Sequence, residues 1–286
     1  DVYKRQPLYY LIVCSVVNII LDLLLILVIP LGVLGAAIAT LIAQAVSAVL
    51  VTVTLMYRTE GMKLCLSQIR MYKRMLQSIL KIGLPAGFEA IMYSISNIIV
   101  QVSINNFGVD TMAAWTAYSK IDFIFWMINS AFGISVMTFV GQNYGAGKWD
   151  RIRRGTKICL GMALISAVSV SIILMSAERF LFGIFVNDAG VVEIGIRMMN
   201  VIAPAYLLFA FIEVFSGALR AQGAVVVSTL ITMVGICVLR MIWVTLVAAH
   251  GTLEQVIICY PITWAAGALA MRIYYIYKQR KIFQAR

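Results

Sequence analysis

Long apolar runs constrain this chain more than any other feature of its sequence. The first two extend from about Leu8 to Val28 and from Leu31 to Tyr57, and similar runs recur toward the C-terminus. A membrane-spanning helix needs about 20 such residues, whereas a barrel strand needs about ten. Only 12% of the 286 residues are charged and 62% are hydrophobic, which excludes an ordinary soluble domain. We therefore expect an all-α integral membrane protein with about eight transmembrane helices.

The apolar runs and the turn residues between them predict the limits of these helices. The predicted helices cover about residues 7–29, 31–57, 81–107, 112–144, 156–177, 190–219, 224–249 and 253–277. Residues 1–6 lack the form of a signal peptide, so we interpret them as a non-native or truncated start. The polar segment 58–80 predicts a cytoplasmic linker, and residues 281–286 predict a cytoplasmic tail.

Lysine and arginine concentrate in alternate connections between the predicted helices. One side contains Arg58, Lys63, Arg70, Lys73, Arg74, Lys81, Lys148, Arg151, Arg153, Arg154, Lys157, Arg220, Arg272, Lys278, Arg280, Lys281 and Arg286. The other side has little more than Lys120, Arg179 and Arg197. Basic loops face the cytoplasm, so we expect a multi-pass protein of the bacterial inner (plasma) membrane with a cytoplasmic C-terminus. The net charge of +11 then reflects topology and contact with membrane lipids, and no nucleic-acid partner is expected.

The residues that commonly carry catalysis are sparse. The five cysteines form no CxxC pair, and His250 is the sole histidine. Neither a zinc or iron site nor histidine-based catalysis is predicted from this set. We expect no enzyme activity, no metal and no cofactor.

Ionisable side chains inside the predicted helices are the first candidates for function, because a charge in the bilayer core is costly. Glu89, Tyr93, Asn97 and Gln101 recur every four residues and form a polar stripe on one face of the third helix. Such a stripe requires water or another helix as its neighbour. We predict that it lines a substrate or cation path.

Glu213 lies in the sixth predicted helix, at a depth similar to that of Glu89 from the same side. Two carboxyl groups in apolar surroundings can exchange a proton or hold a cation. The alternative is that each forms a structural ion pair, for example with Lys81 or Arg220. Both interpretations are open from the sequence.

Three further charges, Asp22, Asp122 and Arg240, are candidates for structural or coupling roles. Asp122 is expected near the start of the fourth helix, where it would stabilise the helix and pair with Lys120. A weak internal repeat aligns Leu21-Asp22 with Leu239-Arg240, and a mutual or local ion pair is expected for these two charges. Repeated halves are common in secondary transporters.

Three prolines, Pro85, Pro204 and Pro261, fall inside predicted helices, and Pro85 and Pro204 are expected to kink them. The chain also contains 13 Tyr, 13 Phe, 5 Trp and 15 Met residues. Some of these side chains could line a pocket for flat organic cations. Most are expected to face lipid or neighbouring helices.

Several short segments resemble a known family. The most specific is the turn Gln142-Asn-Tyr-Gly-Ala-Gly-Lys148, which ends an apolar stretch that begins at Phe132. The others are Pro7-Leu-Tyr9, Asn18-Ile-Ile-Leu-Asp22, Gly32-Val-Leu-Gly-Ala-Ala37, Gly83-Leu-Pro-Ala-Gly87, Ser94-Ile-Ser-Asn97, Lys120-Ile-Asp122 and Ser216-Gly-Ala-Leu-Arg-Ala-Gln-Gly223. In this order they resemble the multidrug and toxic compound extrusion (MATE) transporters.

This resemblance implies two six-helix bundles and the export of organic cations or drugs in exchange for H+ or Na+ by alternating access. Residues 7–57 would be the last two helices of the N-terminal bundle, and residues 81–280 the complete C-terminal bundle. The chain would then be a fragment whose partners are small organic cations, membrane lipids and the missing N-terminal helices of the same protein.

The resemblance leaves the coupling ion open. Acidic residues that some members use in helices 7 and 10 would fall on Tyr93 and Phe209, one turn from Glu89 and Glu213. Two other functions also stay open. A lipid-linked oligosaccharide flippase of a related superfamily branch would be expected to carry more intramembrane arginines, of which Arg240 is one. A membrane protein without transport activity is the other.

Overall fold

The computed structural model describes residues 2–57, 64–65, 67, 70–247 and 251–284. Every secondary-structure element in this part of the chain is helical. Eight helical segments among the described residues are long and apolar enough to cross a membrane: Tyr9–Val28, Gly32–Tyr57, Lys73–Asn105, Val109–Gly145, Trp149–Ser176, Ala189–Ala221, Val225–Val247 and Leu253–Ile282. The predicted all-α membrane fold with eight spans is confirmed. Arg58, Lys63, His250 and Arg286 lie outside the described residues.

Two helices begin earlier than the apolar pattern predicts. The third span begins at Lys73, eight residues before the predicted start at 81, and the fifth begins at Trp149 rather than near 156. In both cases the added turns are basic and contain no proline, so the helix continues beyond its apolar part. Apolar periodicity detects only the part of a helix that lies in the bilayer.

The chain divides into two compact units, residues 1–75 and 76–286. In the first unit, α1 (Val2–Asp22) continues as a π-helical segment (Leu23–Val28) and is followed by α2 (Gly32–Tyr57). A row of small residues in α2, Gly35, Ala39 and Ala43, is buried against this partner. A Cβ atom at Gly35 would lie 2.9 Å from the carbonyl oxygen of Leu25. Small side chains thus let the two backbones approach closely, as is common between membrane helices.

The second unit is a bundle of helices that surrounds a buried central helix. Its elements are α3 (Lys73–Asn105), α4 (Val109–Gly145), α5 (Trp149–Ser176), α6 (Glu178–Phe185), α7 (Ala189–Ile202), α8 (Tyr206–Ala221), α9 (Val225–Thr232), α10 (Leu239–Ile242), α11 (Leu253–Ile257) and α12 (Cys259–Gln284). Helix α8 is the most enclosed of these, and it packs against α4, α5 and α12. Its carboxylate and its arginine therefore face protein rather than lipid.

Glycine permits the closest approach in this bundle, between α4 and α8. A Cβ atom at Gly217 would lie 2.8 Å from both the carbonyl oxygen of Gly133 and a methyl carbon of Val136. Lipid supplies no hydrophobic driving force for helix association, so close van der Waals packing of this kind must hold the bundle together. The glycines therefore decide where α8 lies.

Local signals define the breaks between the helices. Asp188 caps α7, since its carboxylate accepts hydrogen bonds from the backbone N–H groups of Gly190 and Val191 at 2.8 and 3.1 Å. The turns before α5 and α9 contain Gly147 and Gly223 with φ of 66° and 79°, a conformation that glycine adopts without strain. These two turns lie at the same end of the bundle as the basic residues.

The weak internal repeat has a counterpart in backbone geometry. The π-helical segment Leu23–Val28 directly follows Asp22. In the second unit, α10 contains Arg240 and is followed by a π-helical segment at Trp243–Val247. Segments of this type are uncommon and often occur at functional sites.

Candidate functional site

Two cavities in the second unit contain most of the residues predicted to form a site. The first, called here the carboxylate cavity, has a volume of about 340 Å³ and lies among α3, α4, α8 and α9. Glu89, Tyr93 and Glu213 all line it. The fold thus brings together two carboxyl groups that are more than 120 residues apart in the sequence.

Glu89 is held in an ion pair. Nη2 of Arg220 in α8 donates to both of its carboxylate oxygens, at 2.6 and 2.7 Å. The hydroxyl of Thr229 in α9 donates to Oε2 at 3.0 Å. The side chains of Arg220 and Glu89 are only 28% and 15% exposed. Of the partners considered from the sequence, Arg220 is the one that the structure provides.

Glu213 differs from Glu89 because it has no hydrogen bond or ion pair within the described part of the chain. Its carboxylate fills space that the absence of a side chain at Gly133 leaves open, since a Cβ atom there would overlap it. The charged groups that act on it electrostatically are Arg220 and Glu89. Arg220 is already engaged by Glu89, so Glu213 is the carboxylate available to a cation in this cavity.

The second cavity, called here the aromatic cavity, has a volume of about 360 Å³ and lies among α3, α4, α7 and α12. Its walls combine aromatic rings with amide, hydroxyl and carboxylate groups. The side chains that form it include Tyr93, Asn97, Gln101, Trp115, Tyr118, Asp122, Trp126, Tyr260 and Trp264. A site of this composition suits a flat apolar molecule that carries a positive charge.

Asp122 is the carboxylate of the aromatic cavity. It accepts hydrogen bonds from the indole N–H of Trp126 at 2.6 Å and from the Tyr206 hydroxyl at 2.5 Å. A second hydroxyl, that of Tyr118, lies 3.2 Å from the Tyr206 hydroxyl. The Tyr206 ring stacks on Phe125 with centroids 3.9 Å apart. Rigid rings therefore orient the donors that hold this carboxylate.

The polar stripe of α3 runs past both cavities. Tyr93 lines each of them, while Asn97 and Gln101 line only the aromatic cavity. Gln101 donates to the side-chain oxygen of Asn105 at 2.8 Å. The stripe predicted from four-residue spacing therefore serves as a common wall.

Arg240 is fully buried, at 0% exposure. Its Nη1 donates to Oδ1 of Asn97 at 3.1 Å, and its guanidinium carbon lies 4.3 Å from the ring centroid of Tyr260 and 5.7 Å from that of Tyr93. No carboxylate of the described residues pairs with it. Aromatic faces and one amide thus replace the expected counter-ion.

The expectations for Asp122, Arg240 and Asp22 are wrong. Asp122 does not lie at a helix start, because α4 begins at Val109 and places it more than three turns inside. It bonds to Trp126 and Tyr206 rather than to Lys120. Arg240 forms no local ion pair for the reason just given. Asp22 also lacks one, and its Oδ1 is buried without a hydrogen-bond partner among the described residues.

The two prolines predicted as kinks lie in different settings. Pro204 is in a single 3-10 turn (Ala203–Ala205) that joins α7 to α8, where the missing N–H interrupts the α-helical pattern. Pro85 lies within α3, which continues through it. A helix break therefore occurs at Pro204 and not at Pro85.

Sequence reasoning missed several residues that complete the two cavities. Thr229 and Gly133 carry no charge and were not considered, although each contacts one of the two carboxylates. Trp126 and Tyr118 were placed only among the aromatic residues in general. Both are four residues from Asp122, and this spacing on one helix face was the signal that could have identified them.

No group of three His, Cys, Asp or Glu side chains in the described ranges could hold a metal ion. The chemistry available in the two cavities is instead that of carboxylates, phenol and indole groups and one buried guanidinium. This set can bind and release a proton, a monovalent cation or an organic cation.

Curated relatives of this chain include proteins named for multidrug resistance and multidrug export. A probable multidrug resistance protein of Bacillus subtilis, YoeA, is 27% identical over 98% of this chain and 63% of its own length. The multidrug export protein MepA of Staphylococcus saprophyticus is 25% identical over 82% of this chain and 54% of its own length. The chain therefore spans less than two thirds of the length of these curated relatives.

Solved structures of MATE transporters share the fold. An outward-facing multidrug resistance MATE transporter of the MOP superfamily superposes with a TM-score of 0.87 over 96% of this chain and 62% of its own, at 19% identity. An inward-facing structure gives a TM-score of 0.76 over 98% of this chain and 65% of its own, at 18% identity. The predicted MATE-type fold is confirmed.

The MatE family model matches residues 85–246, more than half of the chain. This range includes both carboxylates of the first cavity and the whole polar stripe. The prediction of a multi-pass membrane protein is confirmed, and membership of this family fits the prediction that the chain is not an enzyme. The chain belongs to the MatE family of MATE transporters.

Proposed function

We propose that this chain is the part of a secondary antiporter that contains its cation-exchange site, and that the whole transporter exports organic cations in exchange for H+ or Na+. The observation that carries the proposal is Glu213, a carboxylate enclosed by protein with no partner in the described chain and open to a cavity of about 340 Å³. A buried carboxylate without a partner is costly and is typically retained for function. The names of the relatives, a multidrug resistance protein and a multidrug export protein, support the same class of substrate.

Glu213 exchanges a small cation for the drug in this proposal. Arg220 neutralises Glu89, and this leaves Glu213 as the carboxylate that needs an external positive charge. A proton or a sodium ion supplies that charge when no drug is bound. Glu89 contributes negative electrostatic potential to the cavity. It becomes a second cation ligand when Arg220 is displaced.

The aromatic cavity is the proposed drug site. Its indole and phenol rings offer faces to a flat organic cation, and Asp122 offers a negative charge at the wall. Tyr93 lines both cavities, so a drug in one cavity and a coupling ion in the other contact the same ring. This shared wall gives drug and ion a physical means to affect each other's affinity.

The membrane orientation belongs to the proposal as well. The turns before α5 and α9 and the end of α12 lie together with most of the basic residues, and basic loops favour the cytoplasm. We assign these turns and the C-terminus to the cytoplasmic side of a bacterial inner membrane. Alternating access would require a second six-helix bundle, and the length of the relatives supports its presence in the full transporter.

Transport by proteoliposomes that contain the full-length protein tests the site. Ethidium flux driven by an imposed pH gradient, and separately by a sodium gradient, is measured for the wild type, Glu213→Gln and Glu89→Gln. We expect Glu213→Gln to abolish coupled flux under the gradient that drives the wild type, because an amide cannot exchange a cation. Glu89→Gln should lower the flux without abolishing it, because Glu213 is still present but Arg220, released from Glu89, competes with the cation for it.

Glu193→Gln is the matched control. Glu193 also forms an ion pair with an arginine, Arg179, but its side chain is 56% exposed and lies in neither cavity. Ethidium flux through the Glu193→Gln variant should equal that of the wild type. Full coupled transport by Glu213→Gln at equal reconstitution would refute the site, and an absence of ethidium flux from the wild type under both gradients would refute the function.

A further inference from the structure

A third opening, called here the basic groove, lies between α5, α8 and α12 and takes no part in the proposed exchange. It has a volume of about 660 Å³. Four cationic side chains lie along it: Arg153 and Lys157 from α5, and Arg272 and Arg280 from α12. Two helices that are distant in sequence thus bring their basic residues to the two sides of one groove.

No carboxylate of the described residues lines the basic groove. None of its four cations forms an ion pair with an acidic side chain in the described chain. The nearest acidic residue along α5, Asp150, lines an adjoining depression together with Arg151 and Arg154, and Arg153 and Lys157 of the groove also border that depression. The groove therefore has a strong positive field, which repels the organic cations proposed for the aromatic cavity.

Most of the remaining surface of the groove is apolar. Phe211 and Phe215 of α8 contribute two rings, and Leu160 and Ile276 contribute aliphatic side chains from the two flanking helices. Ile276 is 41% exposed. A long apolar surface beneath a rim of cations suits a ligand with an anionic head and an apolar tail.

Two buried hydroxyl groups lie beside each other in the groove. Thr156 is 1% exposed and Tyr275 is 9% exposed. Their hydroxyls contact each other, although the geometry falls short of a full hydrogen bond, and Arg153 acts on Tyr275 electrostatically. A phosphate oxygen at the cationic rim would supply a better acceptor for these hydroxyls.

The end of α12 that carries the cations is fixed in place. Nζ of Lys278 donates to the backbone carbonyl of Gln222 at 2.8 Å, and Nε2 of Gln279 donates to its side-chain oxygen at 3.0 Å. These bonds join α12 to the turn between α8 and α9. The neighbouring Arg280 is therefore held over the groove by a structured helix rather than by a free tail.

We propose that the basic groove binds an anionic phospholipid from the leaflet at the basic end of the bundle. The phosphate lies among Arg153, Lys157, Arg272 and Arg280, and one acyl chain follows the rings of Phe211 and Phe215. Basic pockets between membrane helices are the usual sites for anionic headgroups. A free phosphate would leave the apolar surface uncovered, and a zwitterionic lipid would leave the positive field uncompensated.

Native mass spectrometry of the full-length protein tests this proposal with two lipids, dioleoylphosphatidylglycerol and dioleoylphosphatidylcholine, and with glycerol 3-phosphate as a headgroup that lacks acyl chains. The wild type should bind phosphatidylglycerol in clear preference to the other two. In the variant Arg153→Gln/Arg272→Gln, the affinity for phosphatidylglycerol should fall about 20-fold, since each basic side chain contributes about fivefold to binding an anionic lipid.

The control Arg151→Gln/Arg154→Gln also removes two positive charges, both from α5, and leaves the four cations of the groove in place. Its affinity for phosphatidylglycerol should lie within about twofold of the wild type, because its charges lie beside the site rather than in it. Ile276→Trp fills the apolar part and keeps every charge, and it should weaken phosphatidylglycerol binding while the weak binding of glycerol 3-phosphate stays unchanged.

Three results would overturn the proposal. Equal losses in the two double variants would mean that lipid binds the basic surface without a site. Equal binding of phosphatidylcholine and phosphatidylglycerol would remove the role of charge. Binding of glycerol 3-phosphate as tight as that of the lipid would indicate a site for free phosphate instead.

Discussion

At the scale of single residues, the pairing of Glu89 with Arg220 separates two carboxylates that look equivalent in the sequence. Arg220 donates twice to Glu89, and Thr229 adds a third hydrogen bond. Glu213 receives none of these bonds, although it lines the same cavity. The division of roles therefore depends on where one guanidinium group points.

Replacement of Arg220 by Gln should destabilise the protein, because it leaves Glu89 enclosed without its counter-ion. We expect a loss of about 2 kcal/mol in the free energy of unfolding, somewhat below the cost of breaking a fully buried pair, since the two side chains are 28% and 15% exposed. Thermal or denaturant unfolding in detergent measures the change.

The double variant Glu89→Gln/Arg220→Gln should recover most of that loss, because two neutral amides need no counter-ion. If the double variant is as unstable as the sum of the two single ones, the pair contributes no coupling energy and our account of Glu89 is wrong.

Arg240 shows the same dependence on surroundings. The sequence suggests an ion pair for it, and the structure surrounds it with Tyr260, Tyr93 and Asn97. An arginine can be buried in this way because its flat, delocalised cation is weakly hydrated and packs on aromatic faces. Arg240 thereby joins α10 to α3 and α12.

At the scale of helices, glycine positions decide how closely α4 and α8 approach. Gly133 has two structural roles. Its backbone contacts Gly217, and the absence of a side chain leaves space for the carboxylate of Glu213. The same close contact therefore builds the bundle and forms part of the wall of the carboxylate cavity.

Gly217→Ala should separate α4 from α8. The added methyl group would press against the Gly133 carbonyl and Val136, so we expect a loss of about 1–3 kcal/mol, as for other overpacked sites. Gly161→Ala is the matched control, because Gly161 lies within α5 with no atom near its missing Cβ. It should be neutral or more stable by up to about 1 kcal/mol, through higher helix propensity.

Unfolding midpoints of the two variants, measured side by side in the same detergent, provide the comparison. Equal midpoints for Gly217→Ala and Gly161→Ala would mean that the α4–α8 contact tolerates a methyl group, contrary to the geometry.

At the scale of the whole molecule, the distribution of basic residues determines the expected orientation in the membrane. The turn that contains Lys148 belongs to the basic end of the bundle, and the connection that contains Asn187 belongs to the opposite end. Both residues are exposed, so single cysteines placed there can report which side of the membrane they face.

Cysteine accessibility tests this orientation in a Cys65→Ser background, which removes an exposed native thiol. A membrane-impermeant maleimide should label Asn187→Cys in spheroplasts and Lys148→Cys only in inside-out vesicles. The reverse pattern would place the C-terminus outside and would contradict the proposed topology.

Much of the fold follows from local patterns along the chain. Apolar length predicts the eight spans, and glycine or capping residues mark turns such as those at Gly147 and Gly223. The starts of α3 and α5 are harder to predict, because a helix that leaves the bilayer keeps its hydrogen bonds but loses its apolar signature. The spacing of the polar stripe from Glu89 to Gln101 likewise depends only on helix geometry.

The sequence by itself determined that the chain crosses a membrane eight times, that it resembles the MATE transporters and that Glu89 and Glu213 are unusual in their surroundings. These conclusions need only composition, periodicity and short motifs, which act within one helix. Tertiary structure alone decided that Arg220 pairs with Glu89 and not with Glu213, that Asp122 lies inside a ring of aromatic side chains, and that α5 and α12 form a basic groove. Each of these contacts joins helices far apart in the chain, and their partners are selected by close packing, which no local pattern encodes.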